Sequence, residues 1–167
     1  MGIVLKQSFK NTIVTFVGFA FGAVNTLFLY TNILEPKYYG LVGFILATGA
    51  ILMPIMASGA HNALVKYYSS QTEQSRNGFL TLILLSPLLV ILPLTALLWL
   101  FHDTIGSFLS IKNELVKDYL WYLFLVGLAM AYFEVFYAWS KVHLKSVFGN
   151  FLKEVFARIC ATILITL

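Results

Sequence analysis

The chain has 167 residues, of which 60% are hydrophobic and 11% are charged, and its formal net charge is +4. Soluble domains carry about a quarter charged residues, and a short chain has proportionally more surface to cover with polar groups. The composition therefore excludes a soluble globular protein and a free-standing nucleic-acid-binding module, so we expect no nucleic-acid partner. The single Cys160 excludes an internal disulfide and a thiolate metal cluster, and we expect neither a metal nor a cofactor. An integral membrane protein remains.

Four stretches without charge, one of them interrupted by Glu134, predict complete membrane-spanning helices. They cover residues 11–34, 38–60, 77–101 and 119–140. Each exceeds the roughly 18–20 residues that cross the hydrocarbon core as a helix. A fifth apolar run covers residues 156–167 and is still apolar at its end. The sequence thus predicts an all-α polytopic transmembrane helix bundle with four complete spans and an incomplete fifth, the N-terminal piece of a longer protein.

Lysine and arginine in the loops predict the orientation of these spans. Lys37, Lys112 and Lys117 fall on one side of the membrane, and the remaining eight of the 11 basic residues, Arg158 among them, fall on the other. Cytoplasmic loops carry the excess of basic residues. We therefore expect the N-terminus to be cytoplasmic.

The first span carries its small and polar residues on one face. Their spacing of three, four or seven positions puts them in register: Asn11, Thr15, Gly18, Gly22, Asn25 and Asn32. Amide side chains are costly toward lipid, so this face should point into a bundle or a wet cavity. Two interpretations stay open: helix packing through amide hydrogen bonds, or the lining of a polar cavity.

Two further spans carry similar faces and one ionisable residue each. In the second span the face consists of Gly40, Gly43, Ala47, Ala50, Pro54, Ala57 and His61, and in the fourth of Gly127, Ala131, Glu134, Ala138 and Lys141. An intramembrane carboxylate is a functional candidate because the bilayer penalises it, although Glu134 could also be neutralised by Lys141 or Lys145. His61 is either a satisfied interfacial histidine or a proton carrier. We consider Glu134 and His61 candidates for ion coupling.

The segment from Ser140 to Arg158 is basic and amphipathic, with aromatic and aliphatic residues between its lysines. Such an inner loop suits the surface of the cytoplasmic leaflet, where anionic lipids attract Lys and Arg. Anionic membrane lipids are therefore expected partners. Contact with an anionic lipid-linked substrate is the alternative interpretation.

Three stretches together resemble the bacterial polysaccharide and O-antigen flippases, the Wzx-type branch of the multidrug/oligosaccharidyl-lipid/polysaccharide exporter superfamily. The first is the lysine-bearing start, LKQSF at residues 5–9. The second is the turn LEPKYYG at residues 34–40, similar to a Pro-x-x-Tyr-Gly turn, with the small-residue helix that runs into GAHNALVKYY at residues 59–68. The third is NFLKEV at residues 150–155 followed by Arg158, similar to the family's amphipathic entry to its fifth helix.

The resemblance implies two bundles of six helices, of which residues 1–167 supply the N-terminal part of the first. It implies a multi-pass transporter of the bacterial inner (cytoplasmic) membrane, not an enzyme, that completes its fold with further C-terminal helices. Its substrate would be a lipid-linked glycan, an undecaprenyl-pyrophosphate oligosaccharide, moved from the inner to the outer leaflet by alternating access. A pyrophosphate favours basic residues in the cavity.

The four complete spans hold no deep Lys or Arg, so the candidate pyrophosphate contacts are three rim residues, Lys10, Lys66 and Arg158. Asn25 is the candidate cavity residue. Two rival functions remain open. A multidrug or organic-cation antiporter of the same superfamily would use acidic residues, and Glu134 is the one deep carboxylate. A non-transporting membrane scaffold or assembly subunit would be favoured if the protein ended at Leu167. An enzyme is not expected, because no nucleophile, metal cluster or acid–base pair is visible.

Overall fold

In the computed structural model, which describes residues 2–166, every regular segment of that range is helical and no strand forms. The first helix (residues 3–33) consists of α1 (Ile3–Val24), a π-helical turn (Asn25–Leu29) and α2 (Tyr30–Ile33). Next come α3 (Pro36–Ala57), α4 (Ala60–Tyr67), a 3₁₀ turn (Tyr68–Ser70), α5 (Glu73–Leu100), α6 (His102–Leu109), a second 3₁₀ turn (Glu114–Tyr119) and α7 (Leu120–Val142). The last helix (residues 146–166) consists of α8 (Ser146–Phe151), a second π-helical turn (Leu152–Phe156) and α9 (Ala157–Thr166).

Four of these helical stretches are long and apolar enough to cross a membrane. They are Leu5–Ile33, Pro36–Ala57, Glu73–Leu100 and Glu114–Val142. Each overlaps one of the four uncharged stretches, because an apolar run of this length can satisfy its backbone groups in lipid only as a helix. The prediction of an all-α polytopic membrane protein is confirmed.

The second helix ends earlier than the predicted boundary at residue 60. Ser58 and Gly59 both adopt positive φ angles, 47° and 71°, and this left-handed pair stops α3 at Ala57 and starts α4 at Ala60. Left-handed residues commonly end helices because they redirect the chain while still satisfying the last carbonyls. Here the amide of Ser58 donates to the carbonyl of Pro54 at 3.1 Å.

The described chain divides into two compact units. The terminal unit contains the residues up to Tyr39 and those from His143 onward, so it brings the first helix against the last helix. The central unit is Gly40–Val142. Its core is apolar throughout and is built around three buried clusters: Leu41, Leu98, Val116, Leu120 and Leu123; Ala60, Leu64, Ile83, Val135 and Ala138; and Met56, Ala57 and Ala131.

Most of the small-residue face predicted for the second span does not pack: of its seven members, Ala57 is buried, His61 is half-buried and the other five are exposed. Gly43 has no atom within 4 Å of the position its Cβ would take, and Gly40, Ala47, Ala50 and Pro54 are also exposed. Instead α3 packs through larger side chains and through Gly49, whose added Cβ would lie 2.8 Å from Val126 of α7. Small residues permit close approach, but burial of larger apolar groups decides which face is used.

The segment predicted to lie on the cytoplasmic leaflet has a different structure. Helix begins at Ser146, well before the predicted start at residue 156, and continues through the second π-helical turn to Thr166. One side of this last helix packs on the first helix, with Gly149, Asn150 and Val155 buried. Phe148 and Phe151 remain exposed on it. Of the charged residues in this segment, Lys153, Glu154 and Arg158 therefore belong to a packed helix.

Candidate functional site

Polar side chains line the contact between the first and last helices. We call this contact the polar seam and define it by residues Gln7, Asn11, Thr15, Gly18, Gly22 and Asn25 on the first helix and Ser146, Asn150, Glu154, Arg158 and Thr162 on the last. The last-helix members recur at every fourth position, and positions four apart lie on one helix face. Both helices therefore present a continuous polar stripe to each other.

The end of the seam nearer the N-terminus is a chain of amide and hydroxyl hydrogen bonds. Asn150 Nδ2 donates to the carbonyl of Asn11 at 3.1 Å and lies 3.2 Å from the hydroxyl of Thr15. Asn11 Nδ2 donates to the Ser146 hydroxyl at 3.2 Å. The Asn11 Oδ1 atom is buried without a hydrogen-bond partner among residues 2–166. This end of the seam holds the helices together through amide groups, as interhelical hydrogen bonds do in lipid.

The centre of the seam holds an ion pair against two glycines. Arg158 Nη2 lies 3.1 Å from Glu154 Oε2, and Arg158 Nη1 donates to the carbonyl of Gly18. An added Cβ at Gly18 would lie 2.5 Å from the backbone oxygen of Glu154. An added Cβ at Gly22 would overlap the Arg158 guanidinium. The two glycines are therefore required here for the helices, and the guanidinium, to approach this closely.

A buried amide holds the backbone of Arg158 from the other side. Asn25 is 2% exposed, and its Nδ2 donates to the Arg158 carbonyl at 2.9 Å. The Thr162 hydroxyl lies 2.7 Å from Asn25 Oδ1 and 2.9 Å from the same carbonyl, with one hydrogen to donate. Both helices are π-helical beside this point, at Asn25–Leu29 and Leu152–Phe156. Such turns occur frequently at functional sites.

Arg158 lies beside the middle of the first apolar stretch, whereas the sequence suggests a position near its end. Its guanidinium contacts Gly18 and Gly22, which lie near the middle of the apolar stretch Leu5–Ile33. The side chain keeps 34% of its surface exposed, and that of Glu154 keeps 24%. An arginine at this depth is costly unless it is paired or faces water, and the seam supplies both a carboxylate and a carbonyl. Arg158 therefore belongs to a helix–helix contact rather than to a loop.

For most members of the first-span face, the structure shows helix packing, the first of the two interpretations. Five of them, from Asn11 to Asn25, pack on the last helix. Asn32 does not: it is exposed and donates to the carbonyl of Phe28 in its own helix. The face is thus mainly a helix contact, but one that encloses a charged pair.

The other candidate residues lie elsewhere. Lys10 is exposed on α1. Lys66 is exposed in the last turn of α4, with its Nζ 5.1 Å from the centre of the Tyr67 ring. His61 and Glu134 are half-buried in the central unit, on α4 and α7, which pack against each other. His61 Nδ1 is buried without a hydrogen-bond partner among residues 2–166. Arg158 and Asn25 are thus the candidates that the structure brings into direct contact.

The sequence analysis missed Glu154 and Thr162 as members of the site. The signal was present, because residues 146, 150, 154, 158 and 162 are polar at a strict four-residue spacing. What the site can do chemically follows from its donors: a partly exposed guanidinium presents forked N–H groups suited to a phosphate or carboxylate. Within the described range no group of three His, Cys, Asp or Glu residues could hold a metal ion.

Comparison with known proteins gives one match. The family model described as polysaccharide biosynthesis protein matches residues 4–166. Neither a curated protein nor a solved structure matches. Members of that family are transporters rather than enzymes, and a flippase or exporter role in general fits the four spans described above. The chain belongs to the polysaccharide biosynthesis protein family, the family of Wzx-type flippases and related exporters, and is a multi-pass membrane protein.

Proposed function

We propose that this chain forms part of a flippase of the bacterial inner membrane that moves an undecaprenyl-pyrophosphate-linked oligosaccharide from the inner to the outer leaflet by alternating access. The observation that carries the proposal is Arg158, a partly exposed cation near the middle of the first span. A lipid-linked glycan has its anionic group between a sugar and a prenyl chain, so a transporter needs a cation at membrane depth to receive it. The family match supports this substrate class.

Arg158 contacts the pyrophosphate in this proposal. Its guanidinium has five N–H groups, and two of them have partners within residues 2–166, Gly18 and Glu154. The remaining donors are free to bind phosphate oxygens in a forked geometry. Such charge-assisted hydrogen bonds are shorter and stronger than neutral ones. Asn25 acts through Arg158, because it fixes the backbone carbonyl of that residue and keeps the guanidinium at its depth.

Lys10 and Lys66 are exposed lysines near the helix ends predicted to be cytoplasmic, and we assign them the first, long-range attraction of the anionic headgroup.

An apolar groove of about 510 Å³ lies beside the last helix, lined by Val14, Leu144, Phe148 and Phe151 together with Lys145. A cation beside an apolar groove suits an anionic membrane lipid, with its headgroup at Lys145 and its chain along the groove. The further C-terminal helices of the parent protein complete the cavity.

The test uses the full-length gene in a bacterial strain that lacks its own flippase. Arg158→Gln should lower glycan translocation about tenfold or more at equal abundance in the membrane, since a hydrogen-bonded charge contributes roughly 1.5–3 kcal/mol. Arg158→Lys keeps the charge but loses the forked pair of N–H donors, so its translocation should lie between that of the unaltered protein and that of Arg158→Gln. Translocation is measured as the fraction of lipid-linked glycan that an added glycosidase can cleave on intact spheroplasts.

Lys6→Gln is the matched control, because it removes an exposed cation from the first helix and should leave translocation at the level of the unaltered protein. Unchanged translocation in Arg158→Gln would contradict the assignment of that residue. Efflux of organic cations without glycan translocation would instead identify an antiporter of the same superfamily. Absence of both activities in the full-length protein would identify a scaffold or assembly subunit.

A further inference from the structure

Within residues 2–166 Arg158 has one carboxylate neighbour, Glu154, which occupies a donor that an anionic substrate would use. In the terminal unit the acidic residues are Glu35 and Glu154. Glu35 lies just beyond the C-terminal end of the first helix, where its carboxylate pairs with the Lys37 ammonium at 3.2 Å. Glu154 lies one helical turn before Arg158 and contacts its Nη2 at 3.1 Å. An anion that takes the Nη2 donor now used by Glu154, in addition to the free donors, must therefore displace Glu154.

The backbone of Glu154 is fixed while its carboxylate can move. The backbone oxygen and Cβ of Glu154 rest against Gly18, where an added methyl group would find no space, and the residue lies inside the second π-helical turn. The carboxylate end is different, because 24% of the side chain is exposed. A change of side-chain rotamer can therefore release Arg158 without moving either helix.

We propose that Glu154 is an exchangeable counter-ion: it neutralises Arg158 when no substrate is bound, gives way to the diphosphate group, and returns when the substrate leaves. A diphosphate carries more negative charge than one carboxylate, so it competes successfully for the guanidinium. The waiting carboxylate then favours release on the other side, because an unpaired arginine at this depth would hold its ligand too tightly. Glu154 is thus a positioning residue for turnover, and its role rests on the proposed function of Arg158.

The proposal makes binding and turnover change in opposite directions. Glu154→Gln keeps the shape and an oxygen that accepts from Arg158 but removes the competing charge. Farnesyl diphosphate is the binding probe, added to the full-length protein in nanodiscs. Its Kd should fall about tenfold in Glu154→Gln, while glycan translocation in the complemented strain should slow by a similar factor. Glu154→Asp keeps the charge on a shorter side chain, so both measurements should lie between those of the unaltered protein and of Glu154→Gln. It replaces Glu154→Gln in the test if that variant does not fold.

Each outcome assigns the failure to one proposal. Glu73→Gln removes an exposed carboxylate of the central unit and should change neither measurement. If Arg158→Gln weakens probe binding but Glu154→Gln leaves the Kd unchanged or raises it, the counter-ion role is overturned and the proposed function stands. If Arg158→Gln leaves probe binding intact, the anion site itself is overturned, and the role of Glu154 with it. A merely structural role for Glu154 would weaken binding and slow translocation together.

Discussion

The terminal and central units solve the problem of packing helices in lipid in opposite ways. In the terminal unit the first and last helices meet through amides, hydroxyls, two glycines and an ion pair. In the central unit α3, α4, α5 and α7 meet through aliphatic side chains and methionines, with Gly49 and Gly127 at the closest contact.

The difference indicates where function lies. In lipid, helices associate through van der Waals packing and interhelical hydrogen bonds rather than through the hydrophobic effect. The close apolar packing of the central unit is therefore enough to hold a scaffold. A buried ion pair contributes little to stability after its desolvation cost. A polar seam with an arginine and a glutamate is therefore better explained by a requirement for charge at that depth than by a requirement for stability. The terminal unit carries the candidate anion site, and the central unit is held together mainly by apolar packing.

The largest effect is expected where the seam is tightest. Gly18→Ala places a methyl group 2.5 Å from the backbone oxygen of Glu154, and a backbone atom cannot move aside as a flexible side chain can. The helices must separate, which breaks the contacts of Arg158 as well. We expect a loss of about 1–3 kcal/mol of stability, typical of overpacking, together with most of the transport. Thermal unfolding of the detergent-solubilised full-length protein, followed by size-exclusion chromatography, measures the first effect.

Gly43→Ala is the matched control for this prediction, because it makes the same substitution on α3 at a position with no atom within 4 Å. Its unfolding temperature should match that of the unaltered protein or rise slightly, since alanine favours the helix over glycine. Equal unfolding temperatures for the Gly18 and Gly43 variants would show that the seam is not tightly packed.

A smaller, purely functional effect is expected from the carboxylate of the central unit. We propose that Glu134, half-buried on α7, couples transport to an ion, with His61 on the neighbouring α4 as its candidate companion. Glu134→Gln should lower the transport rate several-fold, which corresponds to a loss of less than about 1.4 kcal/mol. It should also abolish the dependence of transport on an imposed proton or sodium gradient. Transport into proteoliposomes under each gradient is the measurement.

Glu134→Asp keeps the carboxylate and should retain the gradient dependence. If Glu134→Gln transports at the normal rate and still responds to the gradient, the coupling role is excluded. Because Glu134 lies in the central unit, probe binding at Arg158 should stay at its normal Kd in either variant. A changed Kd would mean that the two units do not divide their tasks as the comparison suggests.

The sequence predicted the helices well and the contacts between them poorly, for separable physical reasons. Long uncharged runs have few structures open to them in lipid, so the four spans follow from hydropathy alone. Periodicity also found the first-helix face from Asn11 to Asn25. It could not name the partner, because spacing identifies a face but not the helix that covers it. The stripe on α3 shows the same limit, since its small residues are mostly exposed.

The candidate site was half predictable for a related reason. The sequence points to Arg158 and Asn25, but the charges at Lys153, Glu154 and Arg158 favour a segment at the membrane surface. A glutamate four residues before an arginine forms a pair on one helix face, and a paired arginine can lie deeper than a single charge suggests. The polar residues at four-residue spacing from Ser146 to Thr162 predict a helix that begins near Ser146.

The smallest expected effect tests whether the central unit relies on polar contacts at all. Tyr132 on α7 donates its hydroxyl hydrogen to the carbonyl of Leu84 on α5 at 2.9 Å, a polar contact between two helices of that unit. Tyr132→Phe removes only this hydrogen bond and should cost about 0.6 kcal/mol, the average for such bonds in a membrane protein, with transport unaffected. The same unfolding assay should show a shift far below that of Gly18→Ala. A loss as large as the glycine variant's would mean that hydrogen bonding, not apolar packing, holds the central unit, and the contrast between the two units would then fail.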